Sequence, residues 1–412
     1  MKYSKSSANE KVYANYIFSS VVFISYLCLP FYFWILLFAL SSIFLKNEKF
    51  FSVLVFIFSF SFLISSRYVG ELWNGSDDMA SYFLMYDNFS SFSSVIPISV
   101  RYAKNADLLF AYFSYYISVI SDGNKFLYYF VIVFISLLSY YFFCRKHLSP
   151  ALALLALVLY LLFFKSFQMQ WNILRSCLAL PVLLMGIYYA SHNNKVLGCI
   201  VFFFGALFHA STAVMLLPLL VVSKYLRNEL SLSTFKRILS YAVVLGSLLF
   251  FVIYMSGGYV LNKIVTQQIS VNFSNVALYV IPLVVFVLFF WKSKNHYLNN
   301  VAIYFLAVGA LGFLFGKNFY RFIHPLLLFM PIIIVGLAFS FSQKANERFL
   351  VIAFYLVMCF STFLYVIYIN ESKFYHKKEG VEFVGDVTGV EQVALFFEYL
   401  ETDVEYYDGY RK

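Results

Sequence analysis

The chain has 412 residues, 62% of them hydrophobic and only 12% charged, where soluble domains carry about 25% charged residues. A mean hydropathy of +0.79 excludes an ordinary soluble enzyme and leaves a chain that sits almost wholly in lipid. The net charge of +10 is uneven: residues 1–369 hold 25 Lys/Arg against 10 Asp/Glu, and the remainder holds 5 against 10. In a membrane chain, loop Lys and Arg set orientation, so no nucleic-acid partner is expected.

The start, Met1 to Tyr16, is polar and carries Lys2, Lys5 and Lys11. The apolar run that follows exceeds the core of a signal peptide and is expected to be retained. Runs near 20 residues read as membrane spans: 16–45, 50–66, 125–144, 149–164, 172–190, 238–255, 275–291, 300–315, 322–341 and 349–369. The first reads as one long pass, which puts the basic start outside; a hairpin kinked at Pro30 is the alternative that puts it inside. The fold class is therefore all-α, a polytopic helical bundle. It forms a single transmembrane domain over 1–369, with a long outer loop at 67–124 and an acidic extramembrane tail at 370–412 on the same side.

Orientation follows from the short basic loops. Lys46/Lys49, Arg145/Lys146, Lys195, Lys224/Arg227/Lys236/Arg237, Lys292/Lys294 and Lys344/Arg348 form a cytoplasmic set. The short turns at 165–171 and 316–321 and the 256–274 loop then lie outside. This assignment has one requirement: both flanks of the run 196–222 are cytoplasmic, so the segment goes in and comes back. His209, in Phe208-His209-Ala210-Ser211-Thr212, is the expected break. Two half-helices there reach about 20 Å each, short of the ~30 Å hydrocarbon core. Such breaks are tolerated where they line a cavity or are buried in protein. The glycines show no strong small-xxx-small seam.

Polar groups in this setting ask for a function. The 67–124 loop holds six of the ten acids that precede the tail, including Asp77, Asp78 and Asp107. Asn74-Gly75-Ser76-Asp77 is a turn and helix-cap signal. Asp78, Tyr82 and Tyr86 then share one helical face. That pattern suits either glycan binding on a Tyr stripe or a membrane-surface helix positioned by Asp77. Arg67, Arg175 and Arg321 fall near the outer interface and point to a bound anion, Arg being suited to forked phosphate contacts; the alternative is snorkelling to headgroups. Arg175 lies deepest. His209 reads as the one histidine deep in an apolar run, either a structural core residue or a proton acceptor. No phosphate-cradling glycine loop, HExxH, CxxC or Gly-x-Ser-x-Gly is present. The five cysteines lack metal-ligand spacing, so no metal site is assigned.

Taken together, these motifs resemble those of EpsG-like, Wzy-type polysaccharide polymerases. Gly75-Ser76-Asp77-Asp78 with Tyr82 and Tyr86 resembles their GxD…Y…Y signature. Gln170-Trp171-Asn172-Ile173-Leu174-Arg175 looks like their span-opening Arg motif, and Phe208-His209-Ala210-Ser211 like their H-x-S motif. Phe319-Tyr320-Arg321-Phe322 is similar to their late Arg. The order matches over most of 67–325; the departure is Ser176, where the family often carries Gln.

The resemblance implies an O-antigen or exopolysaccharide polymerase of the bacterial inner membrane, with a GT-C-like glycosyltransferase architecture. It would transfer a growing glycan from undecaprenyl pyrophosphate to a sugar hydroxyl of an incoming lipid-linked repeat unit at the periplasmic face. Arg175 and Arg321 would bind the pyrophosphate. Asp78 would activate the acceptor, with His209 the competing base. Asp77, Tyr82 and Tyr86 would bind glycan or position the loop, and Arg101 and Lys104 would gather the anionic donor. Expected partners are the lipid-linked oligosaccharide, membrane lipids and a chain-length regulator protein. No cofactor is implied, and a divalent ion on the pyrophosphate is compatible with the reading. Two other classes share the spans and the anionic ligand: a lipid-linked oligosaccharide flippase or other transporter, and an O-antigen ligase.

Overall fold

The computed structural model describes residues 17, 20–21, 23–42, 50–66, 78–103, 107–229, 240, 273–292, 295–313, 319–341, 352–353, 355–357, 359–361, 363–364 and 387–401. No β-strand occurs among them; the single β-type contact is an isolated bridge between Pro30 and Thr388. The molecule is a helical membrane protein. Helices Lys125–Cys144 and Leu174–Ser191 are long and apolar enough to cross a bilayer, and the bent pair Pro150–Leu162 with Phe164–Trp171 is a third span if counted as one. Apart from residues 240, 273 and 274, the expected span at 238–255 and the outer loop at 256–274 lie outside the described residues, as do Arg67, Asp77 and Lys104. Residues 1–178 with 353–412 form one compact unit and 179–352 a second.

In the first unit, α1 (Phe31–Ser42) and α2 (Phe50–Ser65) pack as antiparallel neighbours, Phe31 against Phe60 (5.3 Å between rings) and Phe38 against Phe56 (4.9 Å). The helical residues before α1 run the other way. Phe23 meets Phe51 near the start of α2 (5.6 Å), while Tyr26 packs edge-on against Trp34 (5.1 Å). The chain therefore turns back at Pro30, and the single long pass expected over 16–45 is corrected to a hairpin. The reason is local in part, since Pro30 lacks an N–H and disfavours helix in the residue before it; the rest is a distant contact, the Phe31 N–H bonding Val387 O (3.1 Å).

Helices α3 (Asp78–Asp87), α4 (Val95–Ala103) and α5 (Leu108–Ile120) fill the segment read as a loop. A tight turn with positive φ at Asp122 (51°) and Gly123 (80°) leads into α6 (Lys125–Cys144), capped by the Asn124 side chain on Leu127 N (2.7 Å). Helix α7 (Pro150–Leu162) is apolar all round and buried on nearly every side, the signature of a central helix. It bends by 80° into α8 (Phe164–Asn172). The expected turn at 165–171 is thus a helix. Phe167, Met169 and Trp171 are buried there, and the Gln170 amide is satisfied by Tyr160 Oη (2.9 Å) and Ser136 Oγ (3.3 Å). Helix α9 (Leu174–Ser191) starts in this unit.

In the second unit the rest of α9 packs on α10 (Lys195–Phe208), and α11 (Ala210–Val221) follows after a break at His209, whose backbone is extended (φ −159°, ψ 94°). Helices α12 (Phe273–Lys292), α13 (His296–Gly312) and α14 (Phe319–Phe341) pack on one another. The first turn of α13 fixes where the broken segment begins and ends. Tyr297 meets Tyr188 (5.8 Å) and His192 (5.7 Å), just ahead of Lys195. Asn300, one turn on, donates to Leu226 O (2.9 Å) and Asn228 O (3.0 Å). Both flanks of 195–221 therefore lie at the same end, as the charge pattern required. The two arms have 14 and 12 residues, about 21 and 18 Å at 1.5 Å per residue.

A small-residue seam that the sequence did not reveal holds α9 to α10. A Cβ at Gly186 would stand 2.7 Å from Phe202 N, one at Gly198 2.6 Å from Ala190 N, and one at Gly205 2.9 Å from Leu183 Cγ. The spacing is spread over two helices, so no single GxxxG marks it. The clashes at Gly186 and Gly198 are led by backbone atoms and those at Gly205 by a side chain. Gly186→Ala and Gly198→Ala are therefore expected to lower thermal stability in detergent by more than Gly205→Ala, on the order of 1–3 kcal/mol each. Equal melting shifts for all three would show that the seam is not where these helices are closest.

Candidate functional site

Helix α3 carries the first constellation. Its Tyr82 and Tyr86 are each only 2% exposed, so the helix buries its aromatic face rather than laying it open. Tyr86 stacks on Tyr128 (4.3 Å, 27° between planes) and Tyr82 packs edge-on against Phe110 (5.2 Å). Neither ring offers a free face for a sugar; both hold α3 on its neighbours. Burial pushes the Tyr86 phenol up to about 12, so it stays protonated. Its Oη donates to Asn124 O (3.2 Å) and lies 2.7 Å from Ser121 Oγ.

Arg175, in the first turn of α9, is tied to this helix. Its Nε donates to Tyr82 Oη (2.9 Å), its guanidinium lies over the Tyr82 ring (5.5 Å), and its Nη1 donates to Asp107 Oδ2 (2.6 Å). The Arg175 side chain is 16% exposed and that of Asp107 8%. Asp107 stands at the N-cap position of α5 without using its side chain as a cap. Charged groups this buried persist only when paired. Asp107 is the partner that sequence reading passed over: it was one acid among six, and only the packing of α5 beside α3 separates it from the rest. Two of the five N–H groups of Arg175 are assigned by these contacts.

Asp78 opens α3, partly exposed, one turn before Tyr82 and on the same face. Asp78, Tyr82, Asp107 and Arg175 thus belong to one neighbourhood. It lies at the level of Asn124 to Tyr129 on α6, since Phe83 also meets Tyr128 (6.3 Å) and Tyr129 (6.2 Å). The Arg145–Lys146 turn is at the other end of α6, about 25 Å away along the helix. Arg101 is exposed on α4.

The second unit holds the other named residues. His209 is partly exposed at the tip between α10 and α11, with Ser211 Oγ 3.0 Å from its Nε2. His324 on α14 is fully buried and within electrostatic reach of His209. His209 is therefore not the one histidine deep in an apolar run; the aromatic opening of α14 hid His324. Arg321 is exposed one turn before His324 on the same helix. Phe305 packs on Phe329 (5.4 Å), and a Cβ at Gly309 would lie 3.7 Å from Leu326 Cδ2. Helices α13 and α14 are thus antiparallel, and Arg321 lies at the end opposite Tyr297 and Lys195. No group of three or more metal-ligating side chains occurs among the described residues.

The EpsG family model matches residues 52–377, and the chain belongs to the EpsG family. Membership places it among polysaccharide-polymerase-like membrane proteins. No curated protein and no solved structure matches the chain. The hairpin at Pro30 and the C-terminal helix lie outside the matched residues.

If Arg175 and Asp107 form one electrostatic unit, their losses are coupled. Arg175→Ala and Asp107→Ala are each expected to destabilise the detergent-purified protein, by roughly 3–5 kcal/mol if the remaining charge stays buried. The double variant should cost clearly less than the sum, with a coupling of about 1–3 kcal/mol. Additive melting shifts would show that the two charges are independent.

Proposed function

We propose that this member of the EpsG family is a glycan polymerase that works on lipid-linked repeat units at the outer, periplasmic face of the bacterial inner membrane. A GT-C-like arrangement with about 10–12 spans belongs to the same proposal. The observation that carries it is the Arg175 neighbourhood: a partly buried, oriented guanidinium at the end of α6 remote from the Arg145–Lys146 turn. The positive-inside tendency puts the basic end in the cytoplasm and this site outside, where a lipid-linked pyrophosphate presents its charge.

In the proposed reaction, the hydroxyl oxygen of the incoming repeat unit attacks the anomeric carbon of the growing glycan. The bond from that carbon to the phosphate oxygen breaks, and undecaprenyl pyrophosphate leaves with the bonding electrons. The hydroxyl proton passes to a base. Arg175 is assigned the pyrophosphate, because a fixed cation beside a leaving phosphate stabilises charge that grows in the transition state. Tyr82 and Asp107 fix the plane of its guanidinium, which removes the cost of orienting it during the reaction. Asp78, one helical turn from Tyr82, is assigned the acceptor proton. Arg321 and His209, in the second unit, are retained as the anion contact and competing base that the family resemblance implies. Asp77, Tyr82 and Tyr86 are assigned loop positioning. The donor's lipid and a chain-length regulator are the partners this reaction calls for.

The test is deletion of the gene and complementation with Arg175→Ala, Asp78→Ala, Arg321→Ala and His209→Ala, with glycan length read on a gel. Arg175→Ala and Asp78→Ala are expected to leave single repeat units attached and no polymer. Complete loss of surface glycan would indicate a flippase or a ligase instead. Full-length polymer from all four would overturn the site.

A further inference from the structure

The C-terminal helix α15 (Gly389–Glu401) lies beyond the family-matched residues, and its sequence is built to start sharply and to dock. Thr388 and Glu391 form a capping box: the Thr388 N–H and Oγ1 donate to Glu391 Oε2 (2.6 and 2.8 Å), and the Glu391 N–H donates to Thr388 Oγ1 (3.4 Å). A Cβ at Gly389 would stand 2.4 Å from Tyr26 O, so a glycine is required for the helix to begin this close to the Pro30 hairpin. Tyr26 Oη donates to Gln392 Oε1 (3.1 Å). Phe396 meets Phe58, Phe126 and Phe130 at 5.4, 5.6 and 5.0 Å, and Tyr399 stacks on Phe62 (6.0 Å, 2° between planes). The segment expected to be an acidic extramembrane tail therefore has one helix seated on α2 and α6.

Asn124 joins this helix to the candidate site. Its Oδ1 caps α6, while its Nδ2 donates to Tyr399 O (2.7 Å) and Leu400 O (3.3 Å). Those carbonyls belong to the last turn of α15, where helix ends leave acceptors unused. The Asn124 main-chain oxygen accepts Tyr86 Oη, and Tyr86 sits one turn from Tyr82, which holds Arg175. A hydrogen-bonded path thus runs from the C-terminal helix through one residue, by the side chain of Asn124 and then its main-chain oxygen, to α3.

We propose that α15 is an intramolecular clamp on the Arg175–Tyr82 site, with Asn124 as the positioning residue that transmits its docking to α3. Its functional meaning rests on the reading of that site given above. The clamp accounts for a capped, aromatic helix in an otherwise acidic, polar C-terminal segment. It also accounts for an Asn whose two ends serve two different helices.

Asn124→Asp separates the two duties: a carboxylate still caps α6 but has no donor for Tyr399 O and Leu400 O. The experiment compares the full chain, a version lacking residues 388–412, Gly389→Val and Asn124→Asp. All carry a reporter Ser81→Cys on α3 in a background with the native cysteines replaced, and maleimide labelling is measured in membranes. Labelling at Ser81→Cys is expected to rise at least threefold in all three altered proteins. Labelling of a control Ser149→Cys, in the turn after α6, should stay constant. A synthetic peptide covering 387–412 should restore slow labelling to the truncated protein but not to a truncated protein that also carries Asn124→Asp. Unchanged labelling in all three would overturn the clamp. Faster labelling with normal glycan length would keep the clamp and refute α3 as the working site.

Discussion

Inside a bilayer every main-chain N–H and C=O has to find a partner within the protein, and this chain interrupts its helices repeatedly. Each interruption comes with a compensating contact. At Pro30 the freed Phe31 N–H bonds Val387 O. At the 80° bend the Phe163 N–H still reaches Leu159 O (3.2 Å). At His209 the N–H bonds Gly205 O (3.3 Å) and the carbonyl accepts the Ala213 N–H (3.2 Å), so two short helices meet at one residue with little backbone left over. Tyr304 Oη and Asn300 then bond carbonyls of the returning arm and the turn after it. Broken helices at membrane depth are tolerated where they line a cavity or are buried in protein, and polar side chains such as His209 and Ser211 stand at this break.

Arg175 obeys the same rule for charge. Desolvating a guanidinium costs several kcal/mol, and neither Tyr82 nor Asp107 alone would offset that. Together they satisfy two N–H groups and neutralise the charge, so an arginine at the start of a membrane helix becomes fixed in direction. A long, flexible cation would bind a pyrophosphate only after losing side-chain entropy. Here that loss has already been met on folding. In the proposed reading, the pairing makes the net attraction for an anion weaker than a bare Arg would give, and an exposed cation such as Arg101 would add to it.

Much of this was legible in the sequence because it depends on composition and charge order. The basic loops required 196–222 to return to its own side, and only His209 interrupted that run with a polar ring, so the break was foreseeable. The start of α3 at Asp78 followed from its cap signal. What was hidden depends on packing between distant segments. Asp107 is distinguished from Asp87 or Asp122 only by facing α9. His324 was masked by the aromatic and apolar residues around it. The α9–α10 seam uses glycines on two different helices. Pro30 is a kink signal in any case, but whether the chain turns back there depends also on Val387, more than 350 residues later, which local pattern does not reach.

The C-terminal helix sharpens this point about distance. By composition, residues 370–412 are acidic and polar, which argues for a solvated tail. Within them, Phe396, Phe397 and Tyr399 follow a Thr-x-x-Glu capping box, which argues for a short amphipathic helix with somewhere to go. The two signals operate at different lengths: net charge describes the whole segment, whereas docking is decided by two aromatic residues, Phe396 and Tyr399, in one stretch of 13. Burying large aromatic side chains contributes about 1.5–3 kcal/mol each, enough to overcome the ordering cost of a short helix already capped at its start. The acids sit mainly on the exposed side, Glu391, Glu398 and Glu401 among them, so docking does not require them to lose water. A segment can therefore be acidic on average and still have a helix packed on the membrane unit, and in the proposed clamp Asn124 is the residue that joins that helix to the site.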